Sequence, residues 1–586
     1  MRVFGYLMWF FKQEKKAYIV GIGLLLIVAM LQLIPPWLIG VVVDSIDMGS
    51  LNGQDLAKWM GILALSALAI YVLQYLWRVM IFGSAVKLSR QMRERLYAHF
   101  TQMSPQFYQK RRVGDLMAHA TNDLSAIQQA AGAGVLTLVD SLATGLFVIA
   151  TIAIMIDAKL TFIALIPMPL MALLTNYYGT LLHKRFGVAQ AAFSDLNDKT
   201  QESISGIKVI KTFGQEKEDV ESFRELSSDV VAKNVAVARI DSLFDPTISF
   251  IVGSSFFLSI VFGGRMVIAE ELSIGQLISF TTYLGLLVWP MLAFGWLFNI
   301  VERGRASYER VSQLLNHPVD IKEKTGAVDA QPSGDLEVDI IDFKFPNDEA
   351  SALQDVSFIL KRGDTLGIVG RTGAGKTTIL KLLMREFDGY DGQILFDQRS
   401  INEYKLKALR GSIGYVPQDH FLFSASIREN VAFTDPSVSQ SVVELSTKSA
   451  HVQEDILGFR NGYDTVVGER GVSLSGGQKQ RISIARALLM DPEVLLLDDS
   501  LSAVDAKTEE AILSSLKETR EGKTTIITSH RLSAVQHADL IIVLDEGKLV
   551  EKGTHEELME KQDWYYRMYV RQQLEVLVER GGTRHD

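Results

Sequence analysis

The stretch Gly370-Arg371-Thr372-Gly373-Ala374-Gly375-Lys376-Thr377-Thr378 sets three glycines ahead of a lysine and two hydroxyls. It lies between an apolar run, Thr365 to Val369, and a helical one, Ile379 to Phe387. Glycines let a loop turn its backbone N–H groups inward around an anion, and the start of a helix adds positive potential. The stretch therefore reads as a cradle for the phosphates of a nucleotide. Lys376 is the residue to reach the outer phosphates, and Thr377 offers a hydroxyl to Mg²⁺. Far downstream, the aliphatic run Val494 to Leu497 ends in Asp498 and Asp499. A carboxylate at the end of a buried strand suits Mg²⁺, so Asp498 is the expected metal holder.

Further candidates follow in chain order. Phe345, in a strand expected over Ile341 to Phe345, offers a ring face to a purine. Gln418, after the run Ile413 to Val416 and Pro417, offers a neutral amide to Mg²⁺ or to the attacking water. His530, after Thr525 to Thr528, is positioned to touch a γ-phosphate. Leu474-Ser475-Gly476-Gly477-Gln478, ahead of a helix expected over Gln480 to Leu489, is a second anion cradle without a lysine. Two cradles in one domain make sense if two such domains pair head to tail. Each second cradle then covers the nucleotide held by the first cradle of the other copy.

The elements that must position these groups are those of an α/β domain, because short β-rich runs alternate with helical ones from Asp335 to about Arg571. Residues 572–586 form a tail. Ahead of the domain, residues 316–334 lose the apolar runs and gain Pro318, Gly326, Pro332 and Gly334, as a linker does. Over the whole chain of 586 residues, 48% are hydrophobic and the mean hydropathy is +0.16, high enough to place part of the chain in lipid. No cysteine is present, which excludes disulfides and thiolate metal sites. A net charge of -9 speaks against nucleic acid as a partner.

The lipid bilayer is the expected partner of residues 1–315. Six apolar stretches there are each long enough to span it: Tyr18 to Val43, Trp59 to Phe82, Val135 to Ile156, Leu160 to Leu182, Ile248 to Ile268 and Ile274 to Phe298. The first is too long for a cleaved signal peptide. The segments Asp44 to Lys58, Asp157 to Lys159 and Arg265 to Glu271 are poor in positive charge. Lys12, Lys15, Lys16, Lys87, Arg90, Arg93 and Lys208 fall on the other side, so both termini and the α/β domain are expected in the cytoplasm of a cell with this chain in its cytoplasmic membrane. Gly114 to Asp123 and Ser203 to Gln215 each break a helical run, and are the expected tips of two long cytoplasmic loops. Arg78, Asp140 and Asp245 are expected at one level near the inner membrane boundary, as a substrate-attracting ring or a structural pair. Pro35, Pro36 and Trp289-Pro290 are expected kinks.

Taken together, Gly370 to Thr378, Gln418, Leu474 to Gln478, Val494 to Asp498, Ser502 to Asp505 and His530 resemble the Walker A, Q-loop, signature, Walker B, D-loop and switch histidine of ABC transporters. Six spans ahead of the cassette resemble the exporter branch of half-transporters. Thr465 to Gly471 resembles the exporter loop that meets the coupling helices, which the resemblance assigns to the two loop tips. The implied fold is a polytopic α-helical membrane domain of six transmembrane helices followed by an α/β P-loop nucleotide-binding domain. The implied cofactors are ATP and Mg²⁺, with Asp505 of the D-loop among the nucleotide-site residues.

In that family a glutamate follows the Walker B aspartate and polarises the attacking water. Asp499 is one methylene shorter, a setback of about 1 Å that can cost about a hundredfold in rate. A chain with an intact signature and a weakened base resembles the degenerate-site subunit of bacterial heterodimeric multidrug exporters, BmrC-type subunits among them. The resemblance implies export of drugs or other amphipathic small molecules by a heterodimer, with a second half-transporter supplying the glutamate. A homodimer, a lipid or glycolipid flippase, and a regulatory subunit gated by ATP binding remain as alternatives.

Overall fold

The computed structural model describes residues 2–346, 348–468 and 474–582. It separates into two compact units, Met1–Pro318 and Val319–Asp586.

Among the described residues of the first unit, six helical segments are long and apolar enough to cross a membrane. They are Lys15–Asp47, Gly53–Phe100, Val113–Ile156, Ala158–Ser205, Glu216–Ile268 and Ile274–Leu315, here called spans 1 to 6. Each contains one of the apolar stretches read from the sequence and runs beyond it. Span 2 has 48 residues, about 70 Å of helix at 1.5 Å per residue, against about 30 Å of hydrocarbon. Its surplus carries Lys87, Arg90, Arg93 and Arg95 and is a polar extension.

The turns poor in positive charge are closed by capping side chains. Asn52 accepts from Asp55 N at 2.8 Å, Asp157 from Leu160 N at 2.7 Å, and Ser273 forms a capping box with Gln276. The long loops end in short helices, Pro105–Gln109 and Ile207–Phe213, the latter closed by left-handed Gly214. The second lies inside the expected tip Ser203 to Gln215. The first lies ahead of the expected one, because Gly114 to Asp123 already belongs to span 3 and only relaxes into a π-helical turn over His119–Asp123. That turn carries Asp123, which accepts from His119 Nδ1 at 2.6 Å, Ser307 Oγ at 2.8 Å and Arg310. It thereby ties span 3 to span 6.

The expected kinks are present. Span 1 breaks between Leu31 and Ile34, just ahead of Pro35 and Pro36, and span 6 breaks at Leu287, ahead of Pro290. Proline removes an amide donor and blocks the carbonyl four residues back. Span 6 supplies other donors to the interrupted region of span 1. Tyr283 OH donates to Leu33 O at 2.6 Å and Ser279 Oγ to Pro36 O at 2.9 Å. Near the C-terminal end of span 1, Asp44 accepts from Ser273 Oγ and from Gly275 N, each at 2.7 Å. Gly40 and Gly275 make that approach possible.

In the second unit, the described residues form one ten-stranded mixed sheet in the order β5-β4-β1-β2-β10-β9-β3-β8-β7-β6. The strands are β1 Leu336–Phe343, β2 Leu353–Leu360, β3 Thr365–Gly370, β4 Asp391–Phe396, β5 Arg399–Ser400, β6 Ile413–Val416, β7 Val494–Asp498, β8 Thr524–Thr528, β9 Leu540–Asp545 and β10 Lys548–Gly553. The run β9-β3-β8-β7-β6 is parallel. Its central strands are covered on both faces, so β7 and β8 are buried at every position. The stretch expected as a linker is partly woven into this unit, with Ile321 buried and Val328 bridged to Tyr404. The helix Trp564–Gly582 runs across the boundary drawn at residue 572.

A side chain at Gly275 would begin 2.1 Å from Gly40 O and 2.5 Å from Asp44 Cγ. Gly275→Val is therefore expected to cost about 1–3 kcal/mol by overpacking, read as a thermal midpoint several degrees lower for the detergent-solubilised chain. Gly264→Val, where a Cβ meets nothing within 4 Å, should leave the midpoint in place.

Candidate nucleotide site

Strand register builds the site. Ile368 of β3 and Asp498 of β7 both pair with Thr528 of β8, so the C-terminal ends of three adjacent parallel strands meet at one edge of the sheet. The loop leaving β3 turns through Gly370, Gly373 and Gly375 at φ of 151°, 81° and 99°. A Cβ on Gly370 would lie 2.2 Å from Leu544 O, and one on Gly375 would lie 2.7 Å from the Leu353 side chain. Only glycine fits at either place. Helix α1, Lys376–Leu383, starts directly from the loop, three residues earlier than the sequence pattern suggested. The three polar residues Lys376, Thr377 and Thr378 thus form its first turn.

A cavity of about 490 Å³ lies on this loop, lined by Thr372 to Thr378, Phe345, Gln418, Asp498, Asp499 and His530. These expected residues are brought together. Gly370 and Arg371 are not in the lining; their carbonyls accept from Lys376 Nζ at 2.9 and 3.0 Å. Burial lowers the pKa of Lys376, opposed by the Asp499 and Asp498 carboxylates. Thr377 Oγ1 donates to Asp498 Oδ1 at 2.9 Å, Thr528 Oγ1 donates to the same oxygen at 2.8 Å, and Tyr415 OH donates to Oδ2 at 3.2 Å. A hydroxyl and a buried carboxylate already in contact, beside an amide-lined loop, are the hard oxygen donors that Mg²⁺ with a nucleotide phosphate takes. The residues fit it: Thr377 and Asp498 would hold the ion, with Gln418 within the same cavity. When bound, it would neutralise phosphate charge.

Asp499 sits at φ 45°, a left-handed conformation that aspartate tolerates better than most residues. Its N–H donates to Thr528 O and Thr528 Oγ1, both at 3.0 Å. Its carboxylate accepts from Gln418 Nε2 at 3.5 Å. His530 has its pKa lowered by burial and by the Lys376 cation, opposed by the Asp499 and Asp498 carboxylates, which favours the neutral imidazole. Phe345 lies two residues past the end of β1 rather than within a strand. It packs edge-on against Phe343 and Phe387, at 5.2 and 5.1 Å, and also lines the cavity.

The second cradle is built as expected but lies outside this cavity. Helix α2, Gly476–Leu489, is capped by Ser475, which accepts from Gln478 N at 3.2 Å while Gln478 Oε1 accepts from Ser475 N at 3.1 Å. The helix therefore begins four residues earlier than predicted. Leu474 is buried in the core, and the Gln478 amide is committed to Asp455 at 3.0 Å, which leaves Ser475 and Gly476 as the exposed parts. Asp505 does not line the cavity either. It caps helix α3, Ala506–Thr519, through Thr508 N and Oγ1 at 3.0 and 2.7 Å. Of Thr465 to Gly471, residues 469–471 lie outside the described residues.

Sequence reasoning missed Thr528, Ser351, Ala352, Glu546 and Gly547 in the lining. It also missed the supports of the switch loop. Arg531 NH1 donates to Val504 O at 3.2 Å and Glu509 Oε2 at 2.9 Å, joining the loop to the D-loop. Gln572, on helix α4, Trp564–Gly582, brackets the histidine: its Nε2 donates to His530 O at 2.8 Å and its Oε1 accepts from Leu532 N at 2.9 Å. Only the glycine turn at Gly547 carried any local signal.

Two bonds worth about 1 kcal/mol each hold that loop to α4. In Gln572→Leu, amide exchange at residues 530–532 is expected to rise by roughly tenfold or more, measured by hydrogen–deuterium exchange, with the exchange of β7 unchanged.

Comparison with known proteins agrees with this geometry. The family model described as the ABC transporter transmembrane region matches residues 18–291, and the model described as ABC transporter matches residues 353–502. The chain is 45% identical over 575 residues to the probable multidrug resistance ABC transporter ATP-binding/permease protein YheI of Bacillus subtilis (strain 168), covering 98% of each. It is 45% identical over 579 residues to the multidrug resistance-like ATP-binding protein MdlA of Escherichia coli (strain K12), covering 99% of this chain and 98% of that protein. A solved bacterial Atm1-family ABC exporter with ATP bound superimposes with a TM-score of 0.79 at 25% identity, over 95% of this chain and 99% of that one. With a membrane region and an ATP-binding domain in one polypeptide, the chain belongs to the ABC transporter family as an exporter-type half-transporter whose ATPase is coupled to transport.

Proposed function

We propose that the chain is the weakly hydrolysing half of a heterodimer that expels drugs or other amphipathic small molecules across the cytoplasmic membrane. The observation that carries this reading is Asp499. Its backbone is fixed by two bonds to Thr528 at the end of a fully buried strand, so the carboxylate has little freedom to make up for a missing methylene. A base set back from the attacking water holds ATP better than it hydrolyses it. The rest of the site is intact in residue type, with Lys376, Thr377, Asp498, Gln418 and His530 around one cavity.

The signature residues support the second half of the reading. Ser475 and Gly476 present the N-terminus of a 14-residue helix outside the chain's own cavity, as a surface for the nucleotide of another subunit. A partner with glutamate in place of Asp499 would then have its hydrolysing site completed by this chain. The names of the relatives, a probable multidrug resistance transporter and a multidrug resistance-like protein, favour drugs and similar amphiphiles as cargo.

Turnover measured on the purified chain alone and with its partner tests the assembly. The chain alone should turn over roughly a hundredfold more slowly than the pair; vigorous turnover by the chain alone would sink the heterodimer. Replacing the partner's catalytic glutamate with glutamine should abolish turnover of the pair, whereas Asp499→Asn should change it by no more than a few-fold.

A further inference from the structure

Spans 1, 2, 3 and 6 line an open cavity of about 660 Å³, the size of a drug-like ligand. Three features of its wall concern ligand chemistry. Arg78 from span 2 and Asp140 from span 3 both line it, yet neither forms an ion pair with any described side chain. Asp245, expected at the same level, does not line it. The guanidinium of Arg78 instead lies 5.4 Å from the Trp77 ring centre.

Trp77 is 5% exposed, lines the cavity, and has an indole N–H with no acceptor among the described residues. A buried donor left unmet is destabilising and is a standing offer to a ligand acceptor. Finally, Pro35, Pro36 and Pro290 deprive the carbonyls of Leu31, Gln32 and Leu286 of their helix donors, and Gln32 and Leu286 line the same cavity. Irregular backbone at membrane depth is tolerated where it is buried in protein or faces a wet cavity.

A singly charged cation at Asp140 would leave the exposed Arg78 without a counter-charge, and an anion at Arg78 would leave the half-buried Asp140 without one. The first forgoes a charged contact, and the second also leaves a half-buried carboxylate uncompensated. A ligand bearing both charges matches both walls. We infer that this cavity takes a zwitterionic amphiphile, its cationic end at Asp140 beside the freed carbonyls and its anionic end at Arg78 beside the Trp77 N–H. The inference rests on the export reading only for the direction in which the ligand travels.

The test uses the full chain with its second half in lipid nanodiscs, without ATP. The probes are three dansyl-tagged octyl chains ending in a betaine, a trimethylammonium or a sulfonate. The betaine is expected to bind about tenfold more tightly than either single-charge probe, the worth of one additional charged contact. Asp140→Asn should weaken the betaine and the ammonium by about tenfold and leave the sulfonate alone, and Arg78→Gln should weaken the betaine and the sulfonate and leave the ammonium alone. The unaffected probe in each variant shows that the cavity is still folded. An ammonium that binds as tightly as the betaine in the unaltered protein, or a variant that weakens all three alike, overturns the assignment. ATP-driven uptake of the betaine into inside-out vesicles tests export separately. Normal binding with no uptake retires the export reading and leaves the cavity's preference standing.

Discussion

The nucleotide site depends on the register of three parallel strands. Once β3, β8 and β7 pair as they do, Ile368, Thr528 and Asp498 are level, and the glycine loop leaving β3 places Thr377 within 2.9 Å of Asp498. A one-residue slip of β7 would turn Asp498 to the opposite face of the sheet and a leucine into the site. The burial of every position in β7 and β8 is what makes such a slip costly, because apolar side chains on both faces must find their places in two separate cores.

The membrane unit solves a different problem. Three prolines interrupt two of its helices, and in lipid each freed carbonyl needs a partner. Tyr283 and Ser279 of span 6 donate to the Leu33 and Pro36 carbonyls beside the break in span 1, while Gln32, whose carbonyl loses its helix donor to Pro36, lines the cavity that also holds Arg78 and Asp140. Regular backbone is therefore given up at the place where polar groups have something to bind. Beyond the break, near the C-terminal end of span 1, Asp44 on Ser273 and Gly275 fastens span 1 to span 6, so the two broken helices are also held together there.

Within the nucleotide-binding unit, what surrounds His530 shows how a small catalytic set becomes connected to the rest of the fold. Arg531 reaches the D-loop and Gln572 reaches both sides of the histidine from helix α4. Movement of the switch loop thus disturbs helices α3 and α4 together. The neutral state of the imidazole, favoured by burial and by Lys376, lets its ring nitrogen donate or accept without adding charge to an already charged site.

The phosphate loop, the carboxylate pair, the switch residues and the six spans are legible in the residues alone, because each is a local pattern: glycines at fixed spacing, an aliphatic run ending in acid, apolar stretches of membrane length. The sequence also showed the methylene missing at Asp499. It misplaced the first loop tip, since Gly114 reads as a break but sits inside a helix held by span packing. It ended the nucleotide-binding domain one residue before Gln572, since nothing in an exposed helical tail signals which backbone it touches. Only the tertiary structure could decide that Asp140 and Arg78 share a cavity and Asp245 does not, or that Leu474 and Asp505 serve the core and a helix cap. Those outcomes turn on which residues distant in sequence become neighbours, and that is set by packing and strand register rather than by any residue's own preference.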